Sequence, residues 1–565
     1  MKKCNAIYIL SILFSLILSQ TYTLSGFIKD FQTGESITGV NVYLSNTDYG
    51  ASTDLDGYFI ILDIPKSNYT LNVTYLGYEK IEKKILLNKN ETYNFELEIK
   101  PLSIDAITVS DEQLERRNDF QTSRIKLNTF QLRNIPQLAD ADLFRSLQSL
   151  PGILVQTDFS TGLVIRGGNT DQNLILLDGI TVYNPSHVGG VFSNFILDAI
   201  KEVDLQKGGY NAEYGGRLSS VLKVTSREGN SKQFKGSSSI SLLSAQTLLE
   251  GPLKDGAWII AGRRTYFDKL FEGTDFYFPY FFYDLQGHLY HDIDSKQRIS
   301  LSLYRGEDNL KWDDEFGIEA IWRNNTISIN YRIFHSQQLL SNWMIAKSKF
   351  DIFTGLGRNS SDGIVEKDYI DDLTFRTDWT LFLSQKKQLN FGFQTKSLNF
   401  YYNSSNNGDQ IFFLEQKPIE SALYAKYKLA GNEFLLQPGI RLNYYDGLSK
   451  KWYLDPRLQL KYFINDDRYL NISLGQYHQF ISTLQDDFNP SFIDAWFATD
   501  NSVEPGSSQQ ITIGIEEYRK NDIYIQYEAY YKKLNNMLTY VDKNSTVNPS
   551  SEYQTYNVLD SLVDI

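Results

Sequence analysis

From residue 230 onward, strand-length runs alternate strictly between apolar and polar side chains, and few folds tolerate that pattern over such a distance. In Thr326–Ile333, Ile327, Ile329, Tyr331 and Ile333 fall on one face, with Ser328, Asn330 and Arg332 on the other. In Asn521–Tyr531, Ile523, Ile525, Tyr527, Ala529 and Tyr531 share a face opposed by Tyr524, Gln526 and Glu528. Leu389–Thr395, Leu458–Ile464 and Tyr469–Gly475 repeat the arrangement. A face that carries Arg, Glu and Gln on strand after strand must be wet. One that carries Ile, Leu and Tyr must be dry or in lipid. The chain holds 38 Tyr and 35 Phe, a load that needs large apolar surfaces or a membrane interface suited to amphipathic rings. A soluble propeller would show repeats at fixed spacing, and none is evident. The expected architecture is all-β dominated, with a transmembrane antiparallel β-barrel over 230–565.

Other bulk features narrow the function. The net charge of -13 leaves no basic field to gather phosphates, so no nucleic-acid partner is expected. The one cysteine is Cys4, so the chain beyond it offers no disulfide, thiolate metal site or catalytic thiol. Residues 1–20 read as a signal peptide: Lys2 and Lys3 precede an apolar run from Ala6 to Leu18, shorter than the ~20 residues a spanning helix needs. Export of this kind is compatible with the cell outer membrane of a Gram-negative bacterium.

Residues 22–100 alternate β-prone runs (Leu24–Phe27, Val40–Leu44, Tyr58–Leu62, Tyr69–Tyr75, Tyr93–Ile99) with turn signals, the pattern of a small β-sandwich. The runs SGFIKDFQTGESITGVNVYL, GASTDLDGYFII and NYTLNVTYLGYE resemble the carboxypeptidase-regulatory-like domain. The segment has no histidine, and Asp54-Leu55-Asp56-Gly57 has too few oxygen ligands around it for a calcium loop, so it reads as a turn.

Residues 101–119 turn polar and read as a linker. Within it, Asp105-Ala106-Ile107-Thr108-Val109-Ser110 resembles a TonB box, a segment that would add a strand to a periplasmic partner through backbone hydrogen bonds. Residues 120–228 begin with a helical run, Ala141–Leu150, stopped by Pro151-Gly152. The runs GLVIRGGNTDQNLILLDGITVYNP, DAIKEVDLQKGG and AEYGGRLSSVLKVTSR follow and resemble the α+β plug domain of TonB-dependent receptors. Their glycine-flanked charges are Arg166-Gly167-Gly168, Asp178-Gly179, Lys207-Gly208-Gly209 and Tyr214-Gly215-Gly216-Arg217. Glycine permits tight turns and close approach, so these charges are expected to seat the plug by ion pairs, not to touch ligand.

The barrel is expected to be partial. A plugged barrel of about 22 strands, at roughly ten residues each plus loops, needs more than ~400 residues. Residues 230–565 hold fewer, and the last of them, Leu562–Ile565, do not form a closing strand that ends in an aromatic. Glu272–Gly287, Arg305–Asn325 and Leu484–Pro505 are read as long aromatic loops. The five histidines (His187, His288, His291, His335, His478) form no metal set with ligand spacing. No P-loop, dinucleotide fingerprint or nucleophile elbow is present, so no catalytic residue, metal or cofactor is assigned and the chain does not read as an enzyme. His187, on an apical plug loop, and Trp496 are the candidate ligand-facing residues.

What the resemblance implies is a TonB-dependent receptor in outer-membrane lipid. It would import a scarce small-molecule ligand and be energised by the TonB-ExbB-ExbD complex acting on the 105–110 segment. The ligand classes are a siderophore or other metal chelate first, then a glycan or peptide imported in the SusC manner, with a surface lipoprotein as companion. A non-transporting surface adhesin or signalling receptor on the same scaffold is the other reading.

Overall fold

The computed structural model describes residues 21–100, 562–564 and most of 117–540. Excepted from the last are a few single residues and segments 136–139, 156–161, 188–189, 314–316, 358–362, 484–495 and 520–522. The leader and the Asp105–Ser110 segment lie outside the described residues. The chain divides into two compact units.

The N-terminal unit is a sandwich of two four-stranded sheets. In one, Thr21–Asp30 pairs antiparallel with Tyr58–Pro65 and parallel with Glu91–Thr92 and Phe95–Leu97. The other runs in the order Gly50–Ser52, Asn41–Leu44, Ser67–Thr74, Ile81–Leu87. Alternate residues of these strands, among them Leu24, Ile28, Val42, Leu44, Ile61, Leu71 and Val73, form one core, as period-two alternation requires. The Asp54 carboxylate accepts backbone N–H bonds from Asp56 and Tyr58, both at 2.9 Å, and so closes a turn.

The second unit begins with a five-stranded mixed sheet. Its order is Ile180–Thr181, Asn173–Leu177, Ser220–Ser226, Ile200–Gln206, Arg124–Asn128. The central strands are buried on both faces, which explains runs such as NLILL that show no alternation. The helix is Leu143–Gln148, shorter than the periodic run. Asp142, in extended backbone, caps it by accepting from Phe144 N at 2.9 Å and Arg145 N at 3.1 Å. Leu143, Phe144 and Leu147 pack on Ile175, Val203, Leu205 and Leu222 of the sheet.

Around this domain runs a 16-stranded sheet from Lys235–Ile240 to Ile523–Asn535. Its pairings are antiparallel. The alternation read from sequence is realised: Ile327 and Ile329 are 45% and 50% exposed on the outer face, while Ser328 between them is 1% exposed. Two of the expected loops are largely strand. Glu272–Gly287 runs into Tyr280–Asp292, and Arg305–Asn325 is divided between Gln297–Trp312 and Ile318–Phe334. The reason is that pairing continues past the apolar band. Arg305 still faces Asn325, and Glu307 still faces Arg323, although both faces are polar there. Alternation reports the solvent on each face, not the extent of the hydrogen-bonded ladder.

Candidate functional site: the contact between the central domain and the sheet

Strands along most of the large sheet reach the same small domain, so the sheet encircles it. Arg227 pairs with Glu250 at 2.7 Å, Arg263 donates to Ser193 O at 2.6 Å, and Asn324 donates to Asn184 O at 2.8 Å. Lys396 donates to Thr181 at 2.8 Å, Lys426 pairs with Glu213 at 2.6 Å, and Gln510 donates to Leu218 O at 2.5 Å. Apolar patches lie between these polar pairs: Ile196 and Ala199 pack on Leu248, Ile259 and Ala261, Ile180 on Met344 and Ala346, and Phe192 on Tyr280 and Phe282.

Arg166 sits at φ +51° with its side chain buried. It donates to Ser123 Oγ at 2.7 Å, Glu528 Oε2 at 2.8 Å and Thr512 Oγ1 at 3.3 Å, and its guanidinium lies over the Tyr530 ring at 4.6 Å. Ser123 Oγ in turn donates to Glu528 Oε1 at 2.5 Å. Lys207 Nζ lies 3.7 Å from the same carboxylate and donates to Pro151 O at 3.1 Å. Burial lowers the Lys207 ammonium from its usual value while Glu528 opposes the shift. Asp178, at φ +50°, accepts from Ser226 N at 2.8 Å and Ser226 Oγ at 2.7 Å and so fastens the Leu177–Ile180 turn within the domain.

The glycines of these motifs mark close approaches. A Cβ on Gly168 would lie 2.3 Å from Ser219 Oγ, one on Gly209 1.9 Å from Ser473 Oγ, and one on Gly215 2.2 Å from Arg441 Nε. Gly209 is also at φ +62°. Its N–H donates to Gln510 at 3.4 Å and its carbonyl accepts from Gln459 at 2.5 Å. Gly208 precedes it, and a Cβ there would lie 2.8 Å from Gln510 Oε1. Gly167, Gly179 and Gly216 have positive φ and serve turns. Next to Gly215, the Tyr214 carbonyl accepts from Arg457 at 2.7 Å.

His187 is buried, with both ring nitrogens engaged by the wall: Nδ1 is 2.8 Å from Asp308 Oδ2, and Nε2 is 3.1 Å from both oxygens of Asp284. Its ring stacks on Phe282 at 3.7 Å. Burial would lower its pKa, but the two carboxylates outweigh that and raise it to about 9, so the ring is imidazolium at neutral pH. This candidate ligand-facing residue meets wall carboxylates on both ring nitrogens. Asp284 is shared with Arg263 at 2.6 Å and with Tyr304 OH at 2.7 Å.

Trp496 lies in a short hairpin, Ile481–Thr483 with Trp496–Ala498, over the domain apex. Its ring meets Tyr183 edge-on at 5.4 Å, and the Arg217 guanidinium lies 5.0 Å from it. Phe350, Ile352, Ile370, Phe400, Tyr445 and Phe480 complete an aromatic and aliphatic cluster there. On its edge Tyr183 OH donates to Asp372 at 2.8 Å. Asp368, 3% exposed and two residues from Ile370, lies beside the Trp496 backbone N–H, and among the described residues Trp496 Nε1 has no hydrogen-bond partner. The arrangement can therefore offer rings together with a buried acceptor and a buried donor.

Sequence reading missed the wall partners Glu528, Asp284, Asp308, Arg441 and Arg457. The alternation did put Glu528 on the wet face, but only the fold shows which wet residues meet the domain.

Residues 24–109 match the CarboxypepD_reg-like domain, 106–220 the TonB-dependent Receptor Plug Domain, and 244–563 the TonB dependent receptor-like, beta-barrel family. The TonB-dependent receptor SusC of Bacteroides thetaiotaomicron is 25% identical over 229 residues, 38% of this chain. The TonB-dependent receptor P26 of Formosa agariphila is 25% identical over 206 residues, 35% of this chain. The matched stretches span about a fifth of these relatives, 22% and 20% of their lengths. Among solved structures, the ferric enterobactin receptor of Pseudomonas aeruginosa superposes with a TM-score of 0.58 at 14% identity, covering 76% of this chain and 73% of that one. The copper transporter OprC superposes at 0.56 and 11% identity, covering 74% and 72%. These structures share the fold. With more than half of its length matched by the barrel family, the chain belongs to the TonB-dependent receptors.

Proposed function

We propose that the protein works in the outer membrane of a Gram-negative bacterium as an importer. A scarce small-molecule ligand binds at the Trp496 cluster, and a TonB-type energising complex acts through the Asp105–Ser110 segment to move the plug. The observation that carries this reading is the series of hydrogen bonds and ion pairs by which successive wall strands hold the plug. Water can solvate these Arg, Gln, Glu and Lys groups when the plug rearranges, which lowers the cost of the movement. The plug glycines that touch the wall serve fit, and the charges seat the domain.

A metal chelate is the first ligand class, because the ferric enterobactin and PirA siderophore receptors share the fold. An oligosaccharide is the second, favoured by the similarity to SusC. Rings beside a buried carboxylate suit either, by stacking and by accepting hydrogen bonds from hydroxyl groups. Replacing Asp105–Ser110 with a Gly/Ser segment should abolish uptake of a labelled ferric catecholate or a labelled oligosaccharide and leave surface binding intact. Undiminished uptake would count against the energised-import reading. Trp496→Ala should weaken that binding by about tenfold, roughly the 1.4 kcal/mol of a lost ring contact.

A further inference from the structure

On the outer face of three adjacent strands, Gln297–Trp312, Ile318–Phe334 and Leu339–Leu356, the register sorts side chains into rows. Leu301, Ile329 and Ile345 lie abreast. In the next row Leu303 and Ile327 are joined by Lys347, and beyond it Arg305, Asn325 and Lys349 lie abreast. Arg323 and Asp351 follow, one more pair along the strand. Successive rows are about 7 Å apart, so the aliphatic band gives way to cations within one or two steps. A concavity of about 530 Å³ opens at this boundary, lined by Arg305, Arg323, Lys347 and Lys349, by the carboxylate of Asp351, and by Leu303 and Ile327.

The charges do not cancel. Arg305 pairs with Glu307 at 2.9 Å, Arg323 with Asp351 at 2.8 Å and Lys347 with Asp371 at 3.1 Å. Asp371 lies opposite Lys349 in the register but is taken by Lys347; the Lys349 ammonium lies 4.9 Å from the Tyr369 ring, and among the described residues no carboxylate pairs with it. Arg323 donates to Asp351 through Nε alone among the described residues, so its two terminal nitrogens remain available. A chain with a net charge of -13 thus keeps an excess cation, with free guanidinium donors, where its lipid-facing band ends. Cations at that depth are favourable when an anion of the leaflet meets them.

We propose that this concavity binds the phosphorylated headgroup of a lipid in the surrounding leaflet. The phosphate would take the fork of Arg323 and the Lys349 ammonium, and the acyl chains would lie along Leu303, Ile327, Ile329 and Ile345. A soluble anion would leave the aliphatic floor unused, and a peptide partner would have to displace lipid from that row. The proposal rests on the membrane reading of the outer face.

The test uses the full chain purified in detergent, with native mass spectrometry of added lipids. Diphosphoryl lipid A should be retained over phosphatidylethanolamine and over dephosphorylated lipid A by at least tenfold. The exposed-face double variant Arg323→Gln/Lys349→Gln should lose retention by roughly 30-fold, while Lys254→Gln/Lys296→Gln at the turns should not change it. Equal retention of the dephosphorylated lipid by the wild-type protein would overturn the site, as would unchanged retention by the first variant. Inorganic phosphate that binds as tightly as the lipid would overturn it too. A chain that stays in solution without detergent would instead sink the membrane reading itself.

Discussion

His187 shows how one side chain can tie two parts of a molecule. It pairs with Asp308, which also accepts from Tyr280 OH, and it shares Asp284 with Arg263. Its folded pKa of about 9 lies above the ordinary 6.5, so the stabilisation is complete below pH 6.5 and is lost as pH rises through 9. The loss amounts to about 3 kcal/mol. The protection factors of the plug amides, exchange rates divided out by intrinsic base-catalysed rates, should therefore fall between pH 7 and pH 10 in the wild type and show a much flatter profile in His187→Gln. A flat wild-type profile would contradict the imidazolium assignment. Arg166 makes a second such tie. Arg166→Met should destabilise the plug by about 3 kcal/mol, because Glu528 is then left partly buried near Lys207 alone. Adding Glu528→Gln should recover part of that loss, which protease protection of the plug can measure.

Among the elements, the turns and caps of the central domain show which sequence signals act through shape and which through charge. Gly167 and Gly209 both have positive φ, yet a Cβ at Gly167 meets nothing within 4 Å while one at Gly209 strikes Ser473. Gly167→Ala should cost about 1 kcal/mol of strain. Gly209→Ala should cost about 3 kcal/mol and loosen the plug in the wall. Ser473→Gly should relieve the second variant and leave the first unchanged, read again by protection of the plug. Asp142 caps the Leu143–Gln148 helix and also accepts from Ser193 N and Ser193 Oγ, both at 2.7 Å. Asp142→Ala should therefore cost more than the ~1 kcal/mol typical of a cap alone, by denaturant titration. The helix stop at Pro151-Gly152, the strand alternation and the glycine motifs were all legible in the sequence, because each is a local rule. The extent of the strands in Gln297–Phe334 was not, since ladder hydrogen bonds continue where side-chain polarity stops alternating. The partners of Arg166 and His187 lie 362 and 97 to 121 residues away, and only the wrapping of the sheet around the domain brings them together.

At the scale of the whole molecule, two surfaces of one sheet do different work. The outer face presents Ile, Leu and Tyr, and the inner face holds a folded domain by ion pairs, hydrogen bonds and apolar patches. That domain's edge strand, Arg124–Asn128, is the first to follow the linker, and it pairs antiparallel with Ile200–Gln206 starting at Arg124 opposite Gln206. A tether pulling on the chain ahead of Arg124 would load this ladder first at its Arg124–Gln206 end. Arg124, clamped to Asp204 at 2.8 Å and 2.7 Å, is the first knot at that end.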